Sequence, residues 1–480
     1  MRSPLSFLAE AIAQRPLRLV VAVCAWHLLF WVLAPALGYR MLPLDTLELL
    51  GWGQEWQLGY YKHPPLGPWL GEGFLFLAGG RLDSLYLLAQ LGMLVTFVYV
   101  YATARLWLDP LRAALAVALL EGSYFHTYLT PNFNMNSLQL PLWAALGYHF
   151  LRALREGGTG HWLLFGALAA LCLLSKYSGL LLLAACLAAF LLDARGRAQL
   201  RRPGPWLAVV ACLLLLGPHL AWLGEYWRLP WNYLRGFGSA GAGLSAHLFE
   251  PLRFALGALA GLLFCAILWL PLRLASRPAP PPADRWLLAA LLFGPLLLST
   301  LYGLATGSRL KSTWAFPFFS LIGVWAMLRI PPETARRRLP AFLLVLAGVL
   351  ALTCSMHLLY KTRWGDSKTR FDGAMLAAQA ERYWTAHANG PLRIVIGDHI
   401  DTAIVSSYAG SRPSMLIEGD FTLSPWLRPA DVEASGALYV CRLGSVCPSS
   451  WEARLGARHE REIEGERFVF GIVRPGPPPD

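Results

Sequence analysis

An all-α polytopic membrane domain followed by a small α/β domain is the fold class this sequence predicts, and three observations predict it. Of the 480 residues, 56% are hydrophobic and the mean hydropathy is +0.45, more than the core of a water-soluble domain needs. Apolar runs close to the roughly 20 residues that cross about 30 Å of hydrocarbon recur as far as residue 359. After Lys361-Thr362-Arg363-Trp364 charged residues become frequent and no apolar run is long enough to span.

About eleven spans are predicted, near 17–38, 84–104, 113–130, 138–151, 161–175, 178–192, 206–224, 252–272, 286–305, 312–328 and 340–359. Short loops rich in Lys and Arg are retained in the cytoplasm. Arg2, Arg15 and Arg18, then Arg105 with Arg112, Arg152 with Arg155, and Arg195 to Arg202 fall on one side of that scheme. Arg273, Arg277 and Arg285 fall there too, as do Arg329 and Arg336 to Arg338. The pattern puts the N-terminus in the cytoplasm and the C-terminal domain outside a cytoplasmic (inner) membrane. The formal charge of +12 is then largely topological, and nucleic acid is not an expected partner. The first apolar run is too long for a cleaved signal peptide and lacks a small-residue cleavage pattern.

The membrane domain is expected over 1–360, with a first outer loop at 39–83 lying partly along the interface as short amphipathic helices, because Trp52, Trp56 and Trp69 favour headgroup depth. The soluble domain is expected over 361–480. There Leu392–Gly397 and Ala437–Cys441 read as strands and Ala374–Ala388 as a helix. Cys441 and Cys447, close together on the outer side, are expected to form a disulfide, whereas Cys24, Cys172, Cys186, Cys212, Cys265 and Cys354 sit in or beside apolar spans as inert small hydrophobes. Pro278–Pro282 reads as a stiff linker and Pro475–Asp480 as a disordered end. No repeat of about 20–50 residues is evident.

Polar chemistry concentrates in outer loops. The first holds Asp45, Glu48, Tyr61, Lys62 and His63; the second is the amide-dense Asn132, Asn134 and Asn136. Ser175-Lys176-Tyr177-Ser178 separates two short spans, and Arg309, Lys311 and Trp314 precede another. A fifth loop at 225–250, with Trp231, Tyr233, Phe237, Gly238, Gly241 and Gly243, suits a mobile cover or a merely floppy connection. Such a set can hold an anionic headgroup attached to a lipid while a carboxylate acts nearby. Lys62, Lys176, Arg309 and Lys311 would neutralise phosphate oxygens. Asp45 or Glu48 would accept a proton, and the asparagines would meet sugar hydroxyls. The bland readings are that Arg309 and Lys311 snorkel to headgroups, that the asparagines make a turn, and that His63 is a structural residue beside Pro64. A lone lysine between spans is costlier to place, which favours a role for Lys176.

Asp45 and Glu48, Gly59-Tyr60 and Lys62-His63-Pro64-Pro65-Leu66 resemble the first-loop signature of the membrane glycosyltransferases that include protein O-mannosyltransferases and aminoarabinose transferases, the glycosyltransferase family 39-like group. The resemblance continues through Asn134–Leu138 with Leu142-Trp143, Ser175–Leu180 and Lys311–Pro317, covering roughly residues 15–360. It implies the GT-C architecture and an inverting transferase that takes a sugar from a polyprenyl-phosphate donor on the outer membrane face. Asp45, joined by Glu48 one helical turn on, would be the catalytic carboxylate. Lys62, His63, Lys176, Arg309 and Lys311 would bind donor phosphate, and Tyr61, Asn132, Asn134, Asn136, Tyr177 and Trp314 the sugar or acceptor. Lys62-His63 stands where aminoarabinose transferases tend to carry Glu-Lys, so a second carboxylate is missing there; Glu55 and Glu72 are the nearby substitutes.

No cofactor is required by direct displacement, although Asp45 and Glu48 can also hold a divalent cation; no zinc spacing is present. Membrane lipid and a lipid-linked sugar are the expected partners, and lipid A, another glycolipid, a polymer or a protein the acceptor. Two other classes fit a multispan chain: a transporter or flippase for a lipid-linked sugar, for which repeats and a charged path through midmembrane are expected, and a non-catalytic assembly protein. Neither repeats nor such a path is visible in the sequence.

Overall fold

The computed structural model describes residues 4–236, 243–275, 280–360, 369–445 and 447–476. Phe237, Gly238 and Gly241 of the fifth loop, Arg2, Arg277, Pro278, the boundary residues Lys361–Trp364 and the last four residues lie outside the described residues.

Among the described residues five helices are long and apolar enough to cross a membrane: Leu17–Gly38, Ser84–Ala104, Pro203–Tyr226, Arg285–Thr306 and Pro332–Leu359. Leu244–Ala260 and Leu263–Arg273 together make a sixth span, bent by 52°. Helices Thr159–Ser175 and Gly179–Leu192 are shorter and apolar. Helix Met135–Glu156 packs among them. The molecule is therefore a multipass membrane protein.

Besides the bent 252–272, two more of the eleven predicted spans are not continuous helices. In 113–130, helix Pro110–Ala118 passes into a single 3-10 turn at Leu119–Gly122, and the chain beyond it runs without regular helix to Asn134. The polar side chains there bond backbone instead: Thr127 Oγ1 donates to the Ser123 carbonyl at 2.7 Å and Thr130 Oγ1 to the Thr127 carbonyl at 2.7 Å. In 312–328, a 3-10 turn at Ser312–Ala315 and Pro317, which has no N–H to give, leave only Ile322–Met327 as α-helix. The two interrupted segments pack on each other, with Gly323 so close to the Ala116 carbonyl that an added Cβ would lie 2.0 Å from it. Irregular backbone at membrane depth is tolerated where protein buries it, and Ala113–Leu120 are almost completely buried.

The first loop folds as helices Leu44–Gly53 and Leu66–Leu77. Gly71 lets them touch, since a Cβ there would meet Leu49 Cδ2 at 2.5 Å. The C-terminal domain begins with helix Gly373–His387 and holds one five-stranded sheet: β1 (Ile394–Gly397), β2 (Ser414–Ile417), β3 (Ala437–Arg442), β4 (Leu455–Ile463) and β5 (Glu466–Val473). The order is β2-β1-β3-β5-β4, with β1 parallel to β2 and β3, and β5 antiparallel to β3 and β4. Cys441 and Cys447 are joined by a disulfide at the end of β3.

The domain is seated on the first loop rather than tethered beside it. Met41, Leu42, Leu47 and Leu50 share one buried cluster with Ile404, Val405 and Met415. Arg412 forks onto both oxygens of Glu72 at 2.7 and 2.9 Å. Gln54 Nε2 donates to Ser406 Oγ at 2.8 Å, and Leu42 N–H to the Tyr408 hydroxyl at 2.8 Å. Glu72 thus serves this interface, as does Glu55, whose surroundings include Ser414 and Arg412.

Candidate active site

Asp45 lies in the first turn of helix Leu44–Gly53 and projects toward the turn that precedes helix Met135–Glu156. That helix begins with a reciprocal cap: Asn134 Oδ1 accepts from the Asn136 and Ser137 N–H groups at 2.8 and 3.1 Å, and Ser137 Oγ accepts from Asn134 N–H at 2.9 Å. With its oxygen committed to the cap, the Asn134 amide points its nitrogen at Asp45 Oδ2, 3.0 Å away. Asn132 Nδ2 donates to the same oxygen at 3.2 Å while its own oxygen accepts from Thr46 Oγ1 at 3.0 Å. Oδ2 is held, and Oδ1 is left with no hydrogen-bond partner among the described residues. Asp45 is solvent-exposed, so Oδ1 can meet a hydroxyl.

The third asparagine reaches the other charge. Lys176, in the turn between helices Thr159–Ser175 and Gly179–Leu192, donates to Asn136 Oδ1 at 2.6 Å. Its ammonium lies 5.4 Å from the centre of the Trp314 ring. Burial lowers its pKa to about 8, with the charge of Asp45 opposing and that of Lys311 reinforcing the shift. The asparagine run therefore places a carboxylate and a cation side by side. The sequence assigns these amides to the sugar; in the structure Asn132 and Asn134 hold Asp45 and Asn136 holds Lys176.

One turn along the same helix, Glu48 Oε1 receives Lys62 Nζ at 2.6 Å and the Tyr61 hydroxyl at 3.4 Å. Both side chains of the ion pair are nearly enclosed, at 14% and 13% exposure. Glu48 and Lys62 thus neutralise each other, which leaves Asp45 as the exposed carboxylate with no cation bonded to it. Rings of Tyr61 and Tyr233 stand 5.2 and 5.7 Å from the Lys62 ammonium. His63 is packed edge-on against Trp52 and Tyr233, and burial followed by the charges of Lys176 and Lys62 pushes its pKa well below the ordinary histidine value. That shift favours the neutral imidazole, which would bring no charge to a phosphate.

The segment before Trp314 divides in two. Lys311 acts electrostatically on Lys176. Arg309, expected beside it, is 75% exposed and turns to Glu250, Nε to Oε1 being 3.7 Å. Glu250 is presented by helix Leu244–Ala260, where it also pairs with Arg253 at 2.6 Å. Tyr177 is also turned aside, its hydroxyl 3.2 Å from His219 Nε2 while His219 Nδ1 donates to the Leu58 carbonyl at 2.7 Å.

Tyr233 was legible in sequence only as part of a possible cover. It sits on helix Arg228–Arg235, and burial together with the charges of Glu48 and Asp45 pushes its hydroxyl up to about 12. A second feature lies away from the site: His27 Nδ1 and Glu121 Oε1 are 2.8 Å apart, 0% and 1% exposed, halfway along the first span. A glutamate inside an apolar run was the signal for it. Among the described residues no group of three or more His, Cys, Asp or Glu is arranged to hold a metal ion.

The model of the dolichyl-phosphate-mannose-protein mannosyltransferase family matches residues 62–222. The lipopolysaccharide core galacturonosyltransferase RgtB of Rhizobium johnstonii is 26% identical over 338 residues, covering 65% of this chain and 66% of its own length. The chain thus matches just under two thirds of that relative. The crystal structure of ArnT from Cupriavidus metallidurans bound to undecaprenyl phosphate superposes with a TM-score of 0.63 at 16% identity, over 96% of this chain and 99% of that one. Its apo state gives 0.60 over the same shares. At that identity the likeness is one of fold, and it covers the membrane and C-terminal domains together. Fold and motif order define a polytopic membrane protein of GT-C architecture. The chain is similar, in the stretch the family model matches and in overall fold, to membrane glycosyltransferases of the protein O-mannosyltransferase and aminoarabinose transferase-like kind.

Proposed function

We propose that the protein is an inverting glycosyltransferase that moves a sugar from a polyprenyl-phosphate donor to a hydroxyl of a lipid, glycan or protein acceptor on the outer face of the cytoplasmic membrane. The observation that carries this reading is the pairing of Asp45 and Lys176 through one asparagine run, Asn134 holding the carboxylate at 3.0 Å and Asn136 the ammonium at 2.6 Å. The undecaprenyl phosphate named in the ArnT structure supports a lipid-phosphate donor.

The acceptor O–H gives its proton to Asp45 Oδ1 as its oxygen bonds to the anomeric carbon. The bond from that carbon to the phosphate oxygen breaks on the opposite face, and the electron pair leaves with the polyprenyl phosphate. Lys176, with Lys311 nearby, meets the charge that develops on the departing phosphate. In-line displacement inverts the anomeric configuration. The lysines supply the charge stabilisation, and we propose that no divalent metal is needed.

The sugar is best sought among acidic ones. The named activity of RgtB is galacturonosyl transfer, and a neutral His63 with Lys62 occupies the place where a second carboxylate would greet an amino sugar. The test is consumption of radiolabelled polyprenyl-phosphate sugars by purified protein, comparing galacturonic acid, aminoarabinose and mannose donors. Release of polyprenyl phosphate from any of them supports transfer, preference for the uronic acid supports the sugar assignment, and intact donor in every tube overturns both.

A further inference from the structure

At the end of the membrane domain opposite Lys176 a cavity opens, of about 600 Å³, within the roughly 300–1,000 Å³ range of ligand clefts. It exists because two spans are interrupted at one level. Leu244–Ala260 and Leu263–Arg273 meet at a bend of 52°. The short helix Ile322–Met327 is drawn inward by the Gly323 contact with the Ala116 carbonyl. Leu119, Cys265, Trp269 and Trp325 line the space between them. Leu259 and Leu263, also on the lining, are 46% and 60% exposed, so the cavity is open to the surface that faces lipid.

Its walls are apolar except at one end, where Arg285 and Arg329 stand. Other arginines near this end have partners: Arg155 and Arg195 reach Asp284 at 2.8 and 3.9 Å, and Arg112 is paired with Asp109. Arg285 and Arg329 make no ion pair or side-chain hydrogen bond among the described residues. Each lies beside the start of a long helix, Arg285–Thr306 and Pro332–Leu359, at the end where basic loops cluster.

We propose that this groove binds an anionic phospholipid of the cytoplasmic leaflet, with an acyl chain along the apolar walls and the phosphate between Arg285 and Arg329. Charge complementarity selects the occupant. A bilayer fills any apolar groove with chains and gains little by it, whereas basic pockets between spans on the cytoplasmic side hold anionic headgroups. The donor phosphate is not the occupant, because its cation, Lys176, is at the other end of the bundle.

Detergent-purified protein, stripped of lipid, would be titrated with phosphatidylglycerol, phosphatidylcholine and undecaprenyl phosphate and read by native mass spectrometry. The wild type is expected to retain one phosphatidylglycerol in preference to phosphatidylcholine. R285Q/R329Q should bind phosphatidylglycerol about 30-fold more weakly, with phosphatidylcholine unchanged. A266W, which fills the groove and keeps both arginines, should also lose the lipid, and it decides the matter alone if the double variant does not fold. Unchanged retention by either variant, equal binding of the two phospholipids, or displacement of phosphatidylglycerol by undecaprenyl phosphate overturns the proposal.

Discussion

Asp45 shows how one residue acquires a role from its neighbours. Two amides fix Oδ2 and none reaches Oδ1, so the carboxylate is oriented and still has an oxygen to offer. Asp45→Asn keeps the shape and removes the base; turnover is expected to fall by about 10²–10⁴ with membrane insertion and thermal stability unchanged, checked by donor consumption beside a melting curve. Lys176 adds a pH signature. Its pKa of about 8 means the ammonium is present below pH 8 and lost above it, so donor affinity should weaken as pH rises through 8. Lys176→Arg, always charged, should flatten that profile in a KM series. The sequence made Asp45 and Lys176 legible, through a charged loop after a span and a lone lysine between two spans. It did not make legible that Glu48 and Lys62 cancel, or that Arg309 pairs with Glu250, because both pairings depend on how the loop folds and the helices pack.

Among the elements, the seating of the C-terminal domain on the first loop matters most, since helix Leu44–Gly53 carries Asp45 on one side and touches helix His399–Tyr408 on the other. Arg412→Ala leaves Glu72 without its fork and is expected to destabilise this contact by about 1–3 kcal/mol, seen as a lower melting temperature and faster proteolysis of the domain. Glu55 is buried there, one oxygen unpartnered, its pKa raised by burial to about 7 from 4.5. A carboxyl with a raised folded-state pKa contributes stability below about pH 4.5 that is lost as pH rises through 7. Glu55→Gln should remove that slope, and melting temperatures measured across the window check it. Helix Gly373–His387 and strands β1 and β3 were readable from periodicity and apolar runs. Strands β4 and β5 were not, because β4 is dominated by charged residues and only its pairing with β5 makes it a strand. The interrupted spans escaped for a related reason: composition registers an apolar run, but not that a glycine lets another backbone displace its helix.

For the whole molecule, motif order along the chain was enough to read the resemblance to the superfamily and the all-α membrane architecture with its α/β appendage, because a polytopic fold brings together loops from one face whatever the details of packing. Transfer driven by lysine charges rather than by a metal predicts that chelation with EDTA leaves the rate within about twofold, measured on protein purified without added divalent ions. The account depends on a single cavity in which an acid from the first loop faces a lipid-borne phosphosugar held by lysines from distant segments. A cryo-electron microscopy map of the Asp45→Asn protein with a bound polyprenyl-phosphate sugar tests it most directly. The account predicts phosphate density within hydrogen-bond reach of Lys176 Nζ and the sugar between that phosphate and residue 45; a headgroup lodged elsewhere, with Lys176 still bonded only to Asn136, would contradict it.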